Sequence, residues 1–387
     1  MGLRSFACRA VHRCLGMAIV AGLMLLPPAA LPAGAAEGPY LELDTAGHMA
    51  LIRSLVFTRD GRELISASDD KTIRVWDVET GRLVRTMRGE IGDGDPGKVY
   101  AVALSRDGRL LAAAGALGEG APIRLYDFRA GTLIGLLKGH KEAVLSLDFS
   151  PDGERLVSGG VDDTAIVWDL RSKAPTATLA GHEGDVNAAR FTHDGSAIVT
   201  ASDDDTLKLW RASDGALLDT LPGHTDKVVA LAVSLRDGAI ASGALDGTIK
   251  LWDLRERRVV KEIVQGTEVM SLAFSPDGTL LLSGVGRAPY QSHVYDVATG
   301  KEVTLYGGHD NIVLATAIAP DGALAGTAGG DNNEIHLWSL RDGKPVRALA
   351  GVGRPVWSVS LPMADSSPGV SRSLRAPRRK QGRSTSF

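Results

Sequence analysis

The feature that most constrains the fold of this chain is a pattern of about 42 residues that recurs along most of its length. Each copy closes with an apolar stretch that carries Trp or Tyr at one position, and most neighbouring positions of this kind are 42 or 43 residues apart. The aromatic residues are Trp76, Tyr126, Trp168, Trp210, Trp252, Tyr295 and Trp338. Self-similarity at such a period is typical of repeats that stack on one another, because one unit cannot bury its own apolar face.

Two further signals divide each copy into strands. The His of a Gly-His pair stands 28 or 29 residues before five of the aromatic residues. Every copy also has Asp-Gly between two apolar runs, and this pair favours a two-residue hairpin turn with positive φ. Each copy is thus predicted to form four strands. In the third copy they would span residues 144–150, 155–159, 165–170 and 175–179.

This arrangement resembles the WD40 repeat family, and most closely its exported bacterial members. The resemblance covers residues 40–361 and implies an all-β fold, a β-propeller with seven four-stranded blades. We therefore expect a propeller domain over residues 37–361, in which residues 351–361 form a partial eighth copy. Residues 40–45 are expected to pair with the last blade and close the ring, which hides the edges of an open ring. Residues 345–350 compete for the same place.

Polar residues recur at fixed offsets in five copies. The five sets of four are His48, Ser66, Asp70 and Trp76; His140, Ser158, Asp162 and Trp168; His182, Thr200, Asp204 and Trp210; His224, Ser242, Asp246 and Trp252; and His309, Thr327, Asp331 and Trp338. An Asp–His–Ser set also suggests a catalytic triad. Five copies of one set favour a structural role instead, because a nucleophile needs a single exposed and activated copy. In WD40 proteins such hydrogen bonds tie the loop before the first strand to the turn between strands two and three.

The second and sixth copies lack the His, the turn Asp and the Trp together. Losing the three residues at once fits a cooperative network better than independent sites. These copies also have the longer connections, at residues 90–98, 115–122 and 285–292.

The composition argues against bound metals and cofactors. The only cysteines are Cys8 and Cys14, so a disulfide-stapled fold, a Cys-based zinc site and a cysteine nucleophile are all excluded for the propeller. The acidic runs 93–95 and 203–205 do not form a complete calcium loop, and we interpret them as solvated turns. The sequence contains no phosphate-binding loop of the glycine-rich kind that leads into a helix. We expect no cofactor and no metal.

Both ends of the chain differ from the repeats. Residues 1–36 combine three arginines, an uncharged run at 14–26 and a small-residue ending, which predicts a signal peptide and export to the periplasm or beyond. The alternative is an uncleaved anchor, although the apolar run is short for a membrane span. Residues 362–387 form a basic, Ser-, Arg- and Pro-rich stretch that we interpret as a disordered tail.

The function predicted from these features is that of an exported, non-enzymatic scaffold that binds a protein or peptide partner and is itself a monomer. Residues 37–361 contain 34 basic and 45 acidic residues, which disfavours nucleic acid as the partner. The expected binding face carries the Gly-His loops and the longer connections. The candidate contact residues there are Arg287, Tyr290, Asp163 and Asp205.

Two alternative functions remain open at the level of sequence. One is a sensor module cut from a longer WD40 protein with a caspase-like or other effector domain, which the resemblance to exported or cytosolic bacterial proteins implies. The other is a propeller hydrolase, which would need convergent His and carboxylate groups. His193, His293 and His336 stand outside the recurring sets and share no partner in the sequence pattern.

Overall fold

A computed structural model describes residues 47–88, 95–116, 121–329 and 333–350. Over these residues the chain folds as strands and turns, and it forms no helix long and apolar enough to cross a membrane. The segments 1–36, 40–45, 351–361 and 362–387, on which the sequence makes predictions, lie outside the described residues.

The described residues form 28 strands in seven sheets, and each sheet contains four consecutive antiparallel strands. Blades 1 and 2 consist of Ile52–Phe57 (β1), Glu63–Ser68 (β2), Thr72–Asp77 (β3), Leu83–Arg88 (β4), Lys98–Leu104 (β5), Leu110–Ala116 (β6), Ile123–Asp127 (β7) and Thr132–Leu137 (β8). Blades 3 and 4 consist of Val144–Phe149 (β9), Arg155–Gly160 (β10), Thr164–Asp169 (β11), Ala174–Ala180 (β12), Val186–Phe191 (β13), Ala197–Ser202 (β14), Leu207–Arg211 (β15) and Leu217–Leu221 (β16).

The last three blades follow the same plan. They consist of Val228–Val233 (β17), Ile240–Ala244 (β18), Thr248–Asp253 (β19), Arg258–Val264 (β20), Val269–Phe274 (β21), Leu280–Val285 (β22), Ser292–Asp296 (β23), Glu302–Tyr306 (β24), Val313–Ile318 (β25), Leu324–Gly329 (β26), Glu334–Ser339 (β27) and Pro345–Leu349 (β28). The predicted seven-bladed β-propeller is confirmed. The four strands predicted for the third copy agree with β9 to β12 to within one residue at each end.

The Asp-Gly hairpins differ from the turn that the sequence predicts. Gly153 has the expected positive φ of 74°, but Asp152 does not share it. The N–H of Ser150 donates to the carbonyl of Arg155 at 2.9 Å, so the connection is longer than a two-residue primed turn. The Asp152 carboxylate accepts from the Ser150 hydroxyl and from the Glu154 N–H at 2.5 and 3.0 Å. This side chain thus closes the turn, which is the usual reason for Asp at such a place.

The core lies between neighbouring blades. Trp168 is fully buried and packs with Leu147 of its own blade and with Ala101 and Leu125 of blade 2 in one apolar cluster. Burying an indole of about 200 Å² stabilises the folded chain by about 5 kcal/mol. The blades approach so closely that a Cβ on Gly243 would lie 2.4 Å from Cγ1 of Val269 in the next blade.

The outer strand of the last blade is not supplied by residues 40–45 as we expected, because β28 occupies that position. The fourth strand of blade 7 is β28, which pairs with β27, so the competitor segment takes the place predicted for residues 40–45. Leu349 of β28 is buried against Ile52 of blade 1, and Arg347 Nη1 donates to the Thr80 carbonyl at 3.2 Å. Side-chain packing and this hydrogen bond therefore join the last blade to the first.

Candidate functional site

The recurring polar residues meet inside the blades, as blade 3 illustrates. His140 Nδ1 lies 3.0 Å from the Asp162 carboxylate, and His140 Nε2 lies 2.7 Å from Ser158 Oγ. Trp168 Nε1 donates to the same hydroxyl at 2.8 Å. Ser158 is fully buried, so no substrate could reach its oxygen without unfolding the blade. The set joins the Gly-His loop to the turn between β10 and β11.

The same geometry recurs in three further blades. The His–Asp, His–hydroxyl and Trp–hydroxyl distances are 2.9, 2.6 and 2.8 Å for His48, Asp70, Ser66 and Trp76; 2.7, 2.7 and 2.8 Å for His182, Asp204, Thr200 and Trp210; and 2.9, 2.7 and 2.8 Å for His224, Asp246, Ser242 and Trp252. In blade 7, Thr327 lies 2.8 Å from His309 and accepts from Trp338 at 3.0 Å. Asp331 lies outside the described residues.

Burial and hydrogen bonding set the charges of these sets. Burial lowers the pKa of His140, His182 and His224, which therefore are neutral near pH 7. Burial alone would raise the pKa of Asp70, but hydrogen bonds from His48 and Thr72 lower it to about 2. In blades 3, 4 and 5, where the pKa of both the His and the Asp is lowered, the set combines a neutral imidazole with an ionised carboxylate.

Blade 6 carries a substitute network that the sequence analysis missed. Gln265 stands 18 residues before Ser283, the same interval that separates His from Ser or Thr elsewhere. Its Oε1 accepts from the Ser283 hydroxyl at 2.5 Å and from the Tyr295 hydroxyl at 3.3 Å. The interval of 18 was the signal that could have found it. In blade 2, Ala113 and Tyr126 take the places of the hydroxyl and the Trp.

The four candidate contact residues fall on two parts of the face that carries the Gly-His loops. Arg287 and Tyr290 share the long connection of blade 6, and Arg287 Nε lies 2.6 Å from a Glu268 carboxylate oxygen. Asp163 and Asp205 lie in the tight turns of blades 3 and 4, with positive φ of 60° and 65°. Asp tolerates this conformation better than most residues, so local backbone geometry already accounts for both.

The first strands of all seven blades surround a central cavity of about 340 Å³. On one side of its mouth, Arg53 bonds Asp69 at 2.5 Å and lies over the Tyr100 ring at 4.8 Å. Blades 5 to 7 contribute the apolar side chains Val229, Met270 and Leu314 to the same lining. No cluster of three or more His, Cys, Asp or Glu among the described residues could hold a metal ion.

Seven four-stranded blades around a cavity, with the same buried His–Asp–hydroxyl–Trp set in four of them, define a β-propeller built from one repeat. The family profile "WD domain, G-beta repeat" matches residues 41–77, 131–169, 173–211, 215–253, 259–287 and 300–339. These segments cover more than half of the chain, which therefore belongs to the WD40 family. The profile leaves most of the second copy unmatched, where Ala113 and Tyr126 depart from the pattern.

Curated relatives share only part of this chain. It is 35% identical over 137 residues to "Transducin beta-like protein 3" of Rattus norvegicus, 30% over 135 to "Protein groucho" of Drosophila melanogaster, and 35% over 122 to "Transcription factor unc-37" of Caenorhabditis elegans. In the same order, the three matches cover 35%, 35% and 32% of this chain, but only 16%, 18% and 19% of the respective relative. The chain thus spans less than a fifth of the length of these proteins.

Proposed function

We propose that this chain is a non-catalytic scaffold that binds a protein or peptide partner on the face carrying the Gly-His loops. Its membership of the WD40 family and the burial of the recurring His and hydroxyl groups support this role. Loops held by a rigid scaffold carry a disproportionate share of binding residues, because they vary without disturbing the core.

The long connection of blade 6 carries the proposal. The Arg287 side chain is 78% exposed while it forms an ion pair with the largely buried Glu268. Tyr290 lies three residues further along the same loop. Arg and Tyr are enriched among the residues that dominate binding energy at interfaces. A rigid blade that presents both in one loop is suited to anchor a partner.

The electrostatics of the same face favour a basic or mixed partner surface. Burial raises the pKa of Asp185, and the nearby carboxylates of Asp203 and Asp163 raise it further. These carboxylates concentrate negative charge on blades 3 and 4, although the ion pair between Lys227 and Asp203 offsets part of it. Complementary charge on the partner would speed association and favour this orientation.

The proposal includes export. Residues 1–36 have the composition of a signal peptide, with small residues at the predicted cleavage site. Expression of the full chain in a bacterial host, followed by N-terminal sequencing of the periplasmic fraction, tests this part. We expect the mature chain to begin at Ala36 or Glu37, and retention of Met1 in the membrane fraction would contradict export.

Affinity capture from the exported fraction tests the binding face. The bait is the full chain, compared with an Arg287→Ala, Tyr290→Ala double variant. A matched control carries Arg59→Ala and Leu235→Ala, two exposed positions in the Asp-Gly turns of the opposite face. We expect the first variant to lose at least one partner that wild type and control retain. The same partners on all three equally folded baits would exclude the blade 6 loop as the binding site.

A further inference from the structure

The outer strand of blade 2, β8, leaves three large apolar side chains exposed at the rim of the propeller. Leu133, Ile134 and Leu136 are 51%, 40% and 40% exposed. No other described strand exposes three large apolar residues. The sequence Thr-Leu-Ile-Gly-Leu-Leu of β8 contains no charge and no proline. Charges and prolines are the usual means by which proteins prevent edge strands from pairing with other chains.

The other six outer strands carry such protection. Five contain at least one charged residue, as in Arg85 of β4, Asp219 of β16, Lys261 of β20, Glu302 of β24 and Arg347 of β28. The sixth, β12, is uncharged but contains Pro175. Its one large apolar side chain, Leu179, is fully buried. A bulge opposite the third strand is common to all seven blades, so it does not distinguish β8.

We propose that two copies of this chain associate through β8, with the two strands antiparallel about a twofold axis, in place of the monomer that the sequence led us to expect. In such a pair β8 of one copy lies beside β8 of the other, so a charged side chain near the axis would lie opposite a side chain of the same charge. Among the outer strands of the described residues, β8 is the one that combines freedom from charge and proline with large apolar side chains. Ile134 and Leu136 of one copy would pack against the same residues of the other.

Lys173 of blade 3 limits this association. Its amino group donates to the Ile134 carbonyl, and its stem lies across Gly135, where a Cβ would be 2.9 Å from Cδ of Lys173. A second β8 strand would compete with this lysine for the same edge. One six-residue strand pair also buries less area than the ~1,600 Å² of a standard interface, which is typical of weak and transient association, so we test for a dissociation constant of about 1–100 μM.

Sedimentation equilibrium of the full chain between about 1 and 200 μM tests the proposal over this range of affinity. We expect a reversible monomer–dimer equilibrium in wild type. Ile134→Lys with Leu136→Lys should weaken it at least tenfold, whereas Lys173→Ala should tighten it several-fold. The matched control is Val303→Lys with Leu305→Lys on β24, where the two positions are 51% and 40% exposed, and it should leave the equilibrium unchanged.

Three results would overturn the inference. A wild-type chain that stays monomeric at the highest concentration excludes the pair. An equal loss of dimer in the β8 and β24 variants shows that the surface is not specific. A dimer that survives the β8 variant but disappears when residues 362–387 are removed assigns the contact to the tail. Circular dichroism verifies that every variant is folded, which these exposed positions should allow.

Discussion

Replacing His140 with Ala tests whether the buried polar set of blade 3 acts as a cooperative network. The imidazole is fully buried and makes two hydrogen bonds, one to the ionised Asp162 and one to Ser158. A net hydrogen bond contributes about 1 kcal/mol, and one to a charged group about 1.5–3 kcal/mol. The variant therefore loses about 2.5–4 kcal/mol of hydrogen bonding.

The remaining partners moderate this loss. Asp162 keeps the Lys141 N–H at 2.9 Å and the Thr164 hydroxyl at 2.8 Å, and Ser158 still accepts from Trp168. No charge is left bare, so we expect the free energy of unfolding to fall by about 2–3 kcal/mol. Equilibrium denaturation followed by tryptophan fluorescence and circular dichroism measures it.

A double-mutant cycle separates a network from independent contacts. Asp162→Ala alone and together with His140→Ala should give a coupling energy of about 1 kcal/mol. His293→Ala is the matched control, because His293 bonds only the half-exposed Glu302 at 2.6 Å, and it should cost under about 1 kcal/mol. A loss below about 0.5 kcal/mol for His140→Ala, or additive single effects, would refute the cooperative network.

Three further changes have expected outcomes. Burial lowers the pKa of His309 to about 3, so as the pH falls the unfolded chain takes up a proton on this residue before the folded chain does. The free energy of unfolding should therefore fall as the pH drops below about 6.5, by about 2 kcal/mol at pH 5 from this residue. In pH-dependent denaturation, a His309→Gln variant should lose less stability over this range. Gly243→Ala should lower the free energy of unfolding by about 1–3 kcal/mol, because its Cβ would overlap Val269; a loss no larger than that of an exposed Gly→Ala would contradict the close approach. Asp205→Gly should raise the free energy of unfolding by about 0.5 kcal/mol, because glycine adopts the positive φ of this position without strain. A melting temperature below that of the wild type would contradict this.

The sequence predicts most of this fold because the decisive signals are local and repeated. Strands β9 to β12 were placed to within one residue, since apolar runs and Asp-Gly pairs mark both ends of each. The members of each recurring polar set were predicted to be neighbours from constant offsets, and four complete sets do meet. Their structural role remains a prediction that the His140 experiments test.

The sequence predicts poorly those features that depend on which of several segments fills a given place in the folded chain. Two segments could fill the outer edge of blade 7, and both have strand-like sequences. The structure places β28 there, because Leu349 is then buried between blades 7 and 1 while β28 stays continuous with β27. The Asp152-Gly153 turn was misjudged for a related reason. The Asp152 side chain accepts two hydrogen bonds in the longer connection, and a dipeptide pattern does not reveal them.

The change in blade 6 links the variant network to the proposed binding face. In a complete set, the hydroxyl accepts the Trp N–H, and the His needs a carboxylate from the following turn. In blade 6 the neutral Gln265 carbonyl is the shared acceptor, and both Ser283 and Tyr295 donate to it. The Gln265 amide nitrogen is buried and has no hydrogen-bond partner among the described residues, so blade 6 lacks the acceptor that a turn carboxylate supplies elsewhere. The connection between β22 and β23 therefore carries Arg287 and Tyr290 in place of that Asp, at the cost of one unsatisfied buried amide.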